Sequence, residues 1–263
     1  MAGGNRSGRR QALAVFCAAG ALGWGGTAQA QYRDTTFIAA EGADSGVCDI
    51  YNPCATFGYA LYETVAGGNI IVLDSGNYGN AVIAKSVTIH GEGGQMTVIG
   101  ALEVNAAATD KVVIDNLAFE GTYSGGGYAF GVKVDLAKDV LIQNCRFKDY
   151  DLSTDEEGGV VIAGSSGSVR LTVNNSTFFA NAVGVLVESG ASGTSHAKIY
   201  NSAFVSNTQA GVRVVGATND VTLMGNVLLA SPKALDLQSS GVARSYGNNV
   251  ITSGDAPSAL TMY

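Results

Sequence analysis

The sequence predicts an all-β solenoid of short, stacked parallel strands, on three observations. The first is a phrase of the form Val-x-Ile-x-Asn-x-x-Phe. It appears as Val112-Ile114-Asn116-Phe119, Val140-Ile142-Asn144-Phe147, Leu171-Val173-Asn175-Phe178 and Ala197-Ile199-Asn201-Phe204. The second is a companion Gly-Val-x-Val phrase: Gly131-Val132-Lys133-Val134, Gly159-Val160-Val161-Ile162, Gly184-Val185-Leu186-Val187 and Gly211-Val212-Arg213-Val214. The third is the spacing. The asparagine returns after 28, 31 and 26 residues and the glycine after 28, 25 and 27, while apolar residues inside each phrase alternate with period two. Period two is the signature of strands, and a helical repeat would show 3.6. One short strand cannot bury its own apolar side, whereas stacked coils share a dry interior.

Taken in chain order, residues 1–30 read as an export signal. Arg6, Arg9 and Arg10 precede the apolar run Ala12–Leu22, and Ala28-Gln29-Ala30 supplies a small-x-small cleavage site. The run is too short to span a bilayer, which takes about 20 apolar residues. Residues 31–68 form an N-terminal unit with a strand at Thr35–Ala40 and a short cysteine-bracketed loop. A helix follows, with apolar spacing at Phe57, Ala60, Leu61 and Val65, stopped by Gly67-Gly68 as a C-cap. That helix is expected to lid the first coil. Residues 69–263 then form the solenoid, beginning with Ile70–Leu73, Val82–Ala84 and Val87–Ile89. From Gln31 onward there are 263 − 30 = 233 residues, and about 22–28 per coil gives roughly eight or nine coils. Thirty-six glycines and three prolines suit many tight corners and few edge strands.

Asn116, Asn144, Asn175 and Asn201 are expected to stack in a dry corner as an amide ladder, each donating to one neighbour and accepting from the other. Phe119, Phe147, Phe178 and Phe204 are expected to stack inside. The last repeats degrade: Gly225 replaces the turn asparagine, and Ala243-Ser245-Gly247 is weaker still. Asn226, Asn248 and Asn249 are placed to restore part of the row. With no helix after Asp255, an open C-terminal end makes self-association a further option.

Removing residues 1–30 takes away three basic and no acidic residues, leaving 12 − 22 = −10. Such a balance argues against nucleic acid or anionic lipid as partner. Cys48 and Cys54 read as a local disulfide of an oxidising compartment, worth roughly 2 kcal/mol in the chain-entropy model. Cys145 reads as a buried free thiol. His90 and His196 share no zinc-ligand spacing with any cysteine.

The repeat over residues 112–228 resembles the right-handed parallel β-helix proteins of the pectin-lyase-like superfamily. The N-terminal half is similar to bacterial secreted β-helix proteins of unassigned function. There Cys48-Asp49-Ile50-Tyr51-Asn52-Pro53-Cys54 leads to the helix, then to Gly67-Gly68-Asn69-Ile70-Ile71-Val72 and Asn77-Tyr78-Gly79. The resemblance implies the fold, and it places any enzymatic site on the outer side of the Gly-Val-x-Val strands. That scaffold serves many chemistries. Its outward columns carry Glu188, Arg213 and Asp236, the catalytic candidates. A lyase of this type holds Ca²⁺ with carboxylates and takes a proton with Arg or Lys. The Asp-His pair and the Gly-His-Gly of the enzyme groups are missing, and a surface ion pair worth at most about 1 kcal/mol is the competing reading.

Two other features stand out. The acidic segment Asp149, Asp151, Asp155, Glu156 and Glu157 lies in the longest repeat interval, where it either holds Ca²⁺ weakly or is simply solvated. The column entering the asparagine turn runs Asp115, Gln143, Asn174, Tyr200, Met224, Tyr246. Tyr200, Met224 and Tyr246 make a flat apolar strip suited to sugars, unless the C-terminal tail covers it. The expectation is an exported protein, periplasmic or extracellular, that binds polysaccharide or another envelope component without catalysis or cofactor. A polysaccharide lyase, or less readily a hydrolase, is the alternative. A self-associating structural surface protein is the second.

Overall fold

The computed structural model describes residues 33–121, 129–151, 158–229 and 232–260. The expected export segment and Asp155, Glu156 and Glu157 lie outside them. Every ladder between its strands is parallel. The chain winds through three faces, and each turn stacks on the last.

The first face opens with Arg33–Ile38 and Thr64–Val72 and continues through Val87–Gly91, Lys111–Asp115 and Asp139–Gln143. It ends with Asp220–Met224, Val242–Ser245 and Ser258–Ala259. The second face is an eight-stranded sheet running from Gly76–Asn77 to Val250–Ile251. The third holds Ala81–Ile83, Leu102–Asn105, Phe130–Leu136, Ala210–Val215 and Lys233–Gln238. Gly158–Asn174 and Val183–Tyr200 run without a break from the third face into the first, which joins those two faces into one sheet. Fewer turns carry all three faces than the eight or nine expected from length, because the final coil has no third-face strand of its own and meets Leu235 only through a bridge at Gly254.

Alternation along each strand sends Val132 and Val134, Val140 and Ile142, and their counterparts into one continuous core. At its centre the four phenylalanines stack face to face. Ring centroids lie 4.9, 5.1 and 4.7 Å apart for Phe119–Phe147, Phe147–Phe178 and Phe178–Phe204, with planes within 6°. The companion glycines exist because of these rings. A Cβ on Gly131 would lie 2.7 Å from Phe147 Cδ1, and one on Gly184 would lie 2.5 Å from both Phe204 Cδ1 and the Gly211 carbonyl oxygen.

The N-terminal helix spans Phe57–Glu63 and buries Phe57, Ala60 and Leu61 in the same core. Thr56 caps its start, its side chain accepting from the Tyr59 amide at 3.2 Å. Its end differs from the sequence expectation. Thr64 is already extended, and Gly67-Gly68 lies within the following strand, Gly67 at φ +82°. Other donors take the terminal carbonyls. Thr64 Oγ1 donates to the Ala60 oxygen at 2.6 Å, and Lys85 Nζ donates to the Leu61 and Thr64 oxygens, both at 2.5 Å. With those acceptors satisfied, the helix needs no left-handed glycine to end it. Cys48 and Cys54 form the disulfide, and its loop pairs with the first strand through Phe37 N to Cys48 O at 2.8 Å and Cys54 N to Phe37 O at 2.9 Å. Cys145 is free and buried, its thiol pushed up to about 12 chiefly by burial.

The four repeat asparagines occupy left-handed turns, with φ between 47° and 58°. Their amides lie at the surface or half-buried rather than in a dry interior. Asn175 donates to Asn144 at 2.8 Å, but Asn144 donates to Asp115 Oδ1 and Asn116 to the carbonyls of Gly91 and Gly94. The interior polar row is set one residue later. The amide N–H groups of Cys145, Ser176, Ser202 and Asn226 each donate to the side chain one coil on, at Ser176, Ser202, Asn226 and Asn249. A second buried row links Asn181 to Asn207.

Gly184→Ala is expected to lower stability by about 1–3 kcal/mol, the range for overpacking a core. Gly58→Ala, in the helix with its nearest neighbour 3.9 Å from the new carbon, should be neutral or stabilising by up to about 1 kcal/mol. Urea midpoints of the two variants check this, and an unchanged midpoint for Gly184→Ala would contradict the packing argument.

Candidate ligand-binding face

The outer side of the first face is built from three side-chain columns, because strands in register place every second residue outward and directly above its equivalent one coil earlier. One column runs His90, Asp115, Gln143, Asn174, Tyr200, Met224. Tyr246 follows, its backbone N–H donating to the Leu223 oxygen at 3.2 Å. Tyr200, Met224 and Tyr246 are all half-buried, so each keeps an outward surface. Ser258–Ala259 pairs with Val242–Ser245 and Leu260 N donates to Ser245 O at 2.7 Å, so this part of the tail extends the sheet edge-on instead of lying across the strip.

Beside the strip lies a shallow groove of about 340 Å³, which sequence reasoning missed. Its floor and walls include Asp139, Arg170, Thr172, His196, Lys198, Asp220 and Thr222. Two outward columns produce it: Arg170, His196 and Asp220, and, two residues along each strand, Thr172, Lys198 and Thr222. Most of its charges neutralise one another between coils. Arg170 Nε donates to Asp139 Oδ1 at 2.8 Å. His196 Nδ1 is hydrogen-bonded to Asp220 Oδ1 at 2.6 Å, and Arg244 Nη1 donates to the other Asp220 oxygen. The same coil-to-coil device recurs at His90 and Asp115, 3.1 Å apart. Lys198 is exposed, and among the described residues it has no ion-pair partner. The repeat alignment that reveals the strip would have exposed this column too, had it been continued two residues towards the strand start.

The three catalytic candidates sit on the third face. Arg213 and Asp236 are directly paired in register, with Leu186 before Arg213 in the same column and Glu188 in the column beside it, as the repeat alignment expects. Glu188 lies beside Ala163, further along its strand. Asp236 is not the surface carboxylate expected. It is 2% exposed, and both of its oxygens are occupied. Lys233 Nζ donates to Oδ1 at 2.6 Å, while Arg213 Nε and Gln238 Nε2 donate to Oδ2 at 2.8 and 2.7 Å. Arg213 Nη1 is turned to Gln209 Oε1 at 3.1 Å. Burial alone would push the Asp236 carboxyl up, but donation from Lys233, Arg213 and Gln238 outweighs it and holds the group below the ordinary carboxylate range. Next to this cluster, Val161 and Leu186 of the outward column are buried against Val183 and Ala210 in a second apolar cluster.

Of the acidic segment, Asp149 sits 2.8 Å from Lys148 Nζ and Asp151 accepts from Thr208 Oγ1 at 3.2 Å. Among the described residues, no three His, Cys, Asp or Glu side chains are grouped to hold a metal ion. No helix of the described residues is long and apolar enough to cross a membrane.

Three continuous parallel faces, corners of left-handed asparagine and a stacked aromatic interior define a parallel β-helix. The family model described as "Right handed beta helix region" matches residues 48–228, and the chain belongs to that family. No curated protein and no solved structure matches it.

Asp236→Ala should lower stability at pH 7 by about 1–3 kcal/mol, the range for losing hydrogen bonds to a charged group whose partners, Lys233 and Arg213, keep access to water. The folded carboxyl is held low, so its stabilisation is complete above the unfolded value near ~3.9 and is lost as pH falls through the folded one. Urea midpoints of wild type and variant should therefore converge in acid. A gap that stays constant from pH 7 to pH 3 would refute the assignment.

Proposed function

We propose that this chain is an exported, non-catalytic solenoid, acting in the periplasm or outside the cell, that binds polysaccharide along the outer side of its first face. The observation that carries the reading is the column Tyr200–Met224–Tyr246, partly exposed and bordered by Asn174 and by a groove of hydroxyls and ion pairs. Sugars present C–H surfaces to aromatic and thioether groups and hydroxyls to amides, and such a strip offers both at one-coil intervals. Coils repeat about every 4.8 Å, close to the rise of a pyranose unit, so an extended chain can lie parallel to the solenoid axis.

The Asp236 cluster favours binding over catalysis. A carboxylate whose oxygens already accept three side-chain donors has little capacity left for Ca²⁺ or for a reacting sugar. Arg213 likewise spends its guanidinium on Asp236 and Gln209.

Purified protein titrated with a panel of neutral and uronic-acid oligosaccharides tests the reading. Tyr246→Ala should weaken binding about fivefold, the equivalent of roughly 1 kcal/mol, and Tyr200→Ala should act in the same direction with little change in thermal stability. Release of unsaturated uronide in the presence of Ca²⁺, abolished by Arg213→Ala in a folded variant, would replace this reading with the lyase one.

A further inference from the structure

We infer that the polysaccharide is a sparsely charged one: a chain of mostly neutral sugars bearing an occasional anionic substituent, carboxylate or sulfate ester, which Lys198 receives. This rests on the glycan-binding reading above and names the class of chain that the same face takes.

The argument begins with charge accounting in the groove. Arg170 is committed to Asp139, and His196 and Arg244 are committed to Asp220. Lys198 stands between these pairs, exposed and without an ion-pair partner among the described residues. Thr172 and Thr222 lie directly beside it on the two adjacent coils, so two hydroxyls flank one ammonium. Such a set suits one anionic oxygen group, held by charge-assisted hydrogen bonding and steadied by neutral donors. Its carboxylates are already neutralised, so they do not repel that group at short range.

Position supplies the second step. Lys198 and Tyr200 lie on the same strand two residues apart, about 7 Å, and both point outward. A chain lying on the tyrosine–methionine strip therefore carries its ring substituents over the Lys198 groove. There is one such seat in a stretch where the strip contacts several sugars in succession.

The overall charge sets the upper limit. From Gln31 onward the chain carries −10, from 12 basic and 22 acidic residues, which opposes a ligand charged on every unit. A single anionic substituent escapes that opposition, since charges beyond about 8 Å are largely screened at physiological salt. Lys198 then dominates what it senses.

Four hexasaccharides separate the possibilities: a neutral β-glucan, the same chain carrying a single uronate, its counterpart carrying a single sulfate ester, and a homo-oligouronate. Calorimetry with the purified protein should rank the singly charged chains first, and comparing the uronate and sulfate-ester arms identifies the anion. Lys198→Met should weaken that binding about tenfold while leaving the neutral chain within twofold, and Lys198→Arg should restore most of it. Unchanged melting of both variants excludes a folding defect. Equal affinity for neutral and charged chains with no effect of Lys198→Met overturns this inference and leaves the glycan reading standing. Tightest binding of the homo-oligouronate also overturns it. Failure to bind any chain overturns both.

Discussion

The rest of the molecule hangs on the fit between stacked phenylalanine rings and the glycines facing them. Ring centroids spaced 4.7–5.1 Å apart match the 4.7–4.9 Å spacing of neighbouring strands, so each ring lies on the ring of the next coil without tilting. That match is possible only where the third-face strand yields room, and Gly131, Gly159 and Gly184 yield it. A one-residue slip would carry an aromatic side chain out of the core and invert every neighbour. The stack therefore sets the register for all three faces. Once register is set, outward residues must align in columns along the axis, and any surface site is a property of columns rather than of single loops.

Corners pose the opposite problem, because turning the chain breaks the regular ladder and leaves N–H groups inside. The protein solves this with side chains of the following residue. Ser176, Ser202, Asn226 and Asn249 each receive a backbone N–H from the coil before, and buried Asn181 and Asn207 do the same on another corner. The asparagine immediately before that row serves the backbone instead, holding a left-handed conformation that Asn tolerates better than other side-chain-bearing residues. Gly225 and Gly247 take the same conformation, and Gly225 N still finds Asn248 Oδ1 at 2.9 Å, so the degraded last repeats preserve their corners without preserving their letters.

Those mechanisms explain what could be read from the residues and what could not. Strand alternation and the phenylalanine stack were legible because both follow from period two plus a repeat, and each coil states them again. The asparagine turn was legible as a position but not as a role, since a left-handed φ and a buried amide ladder use the same residue type. The helix end was misread because Gly67-Gly68 looks like a cap, whereas the atoms that satisfy the helix, Lys85 Nζ and Thr64 Oγ1, come from the turn between Ala81–Ile83 and Val87–Gly91 and from a residue unremarkable in isolation. Asp236 was found but its environment was not. Arg213 is a cross-coil neighbour visible by alignment, yet the burial that turns a surface pair into a closed cluster depends on packing no repeat pattern encodes. The groove was missed because it belongs to two columns at once.

The two outer surfaces make the functional argument by contrast. On the third face, an outward column that runs through Glu103 and Lys133 becomes Val161 and Leu186, both buried, and ends in a carboxylate whose acceptors are filled. The polar groups around Asp236 are turned towards one another. On the first face, ion pairs between coils stiffen the walls of a groove while the Lys198 ammonium and a row of half-exposed tyrosine and methionine remain directed outward. An array held in register in this way has little conformational entropy to lose on binding, and it presents equivalent contacts at a constant interval. Extended chains of repeating units are the ligands best able to use it. Each added unit meets a new coil on a surface already ordered, so binding grows by increments while most of the ordering cost falls on the ligand alone.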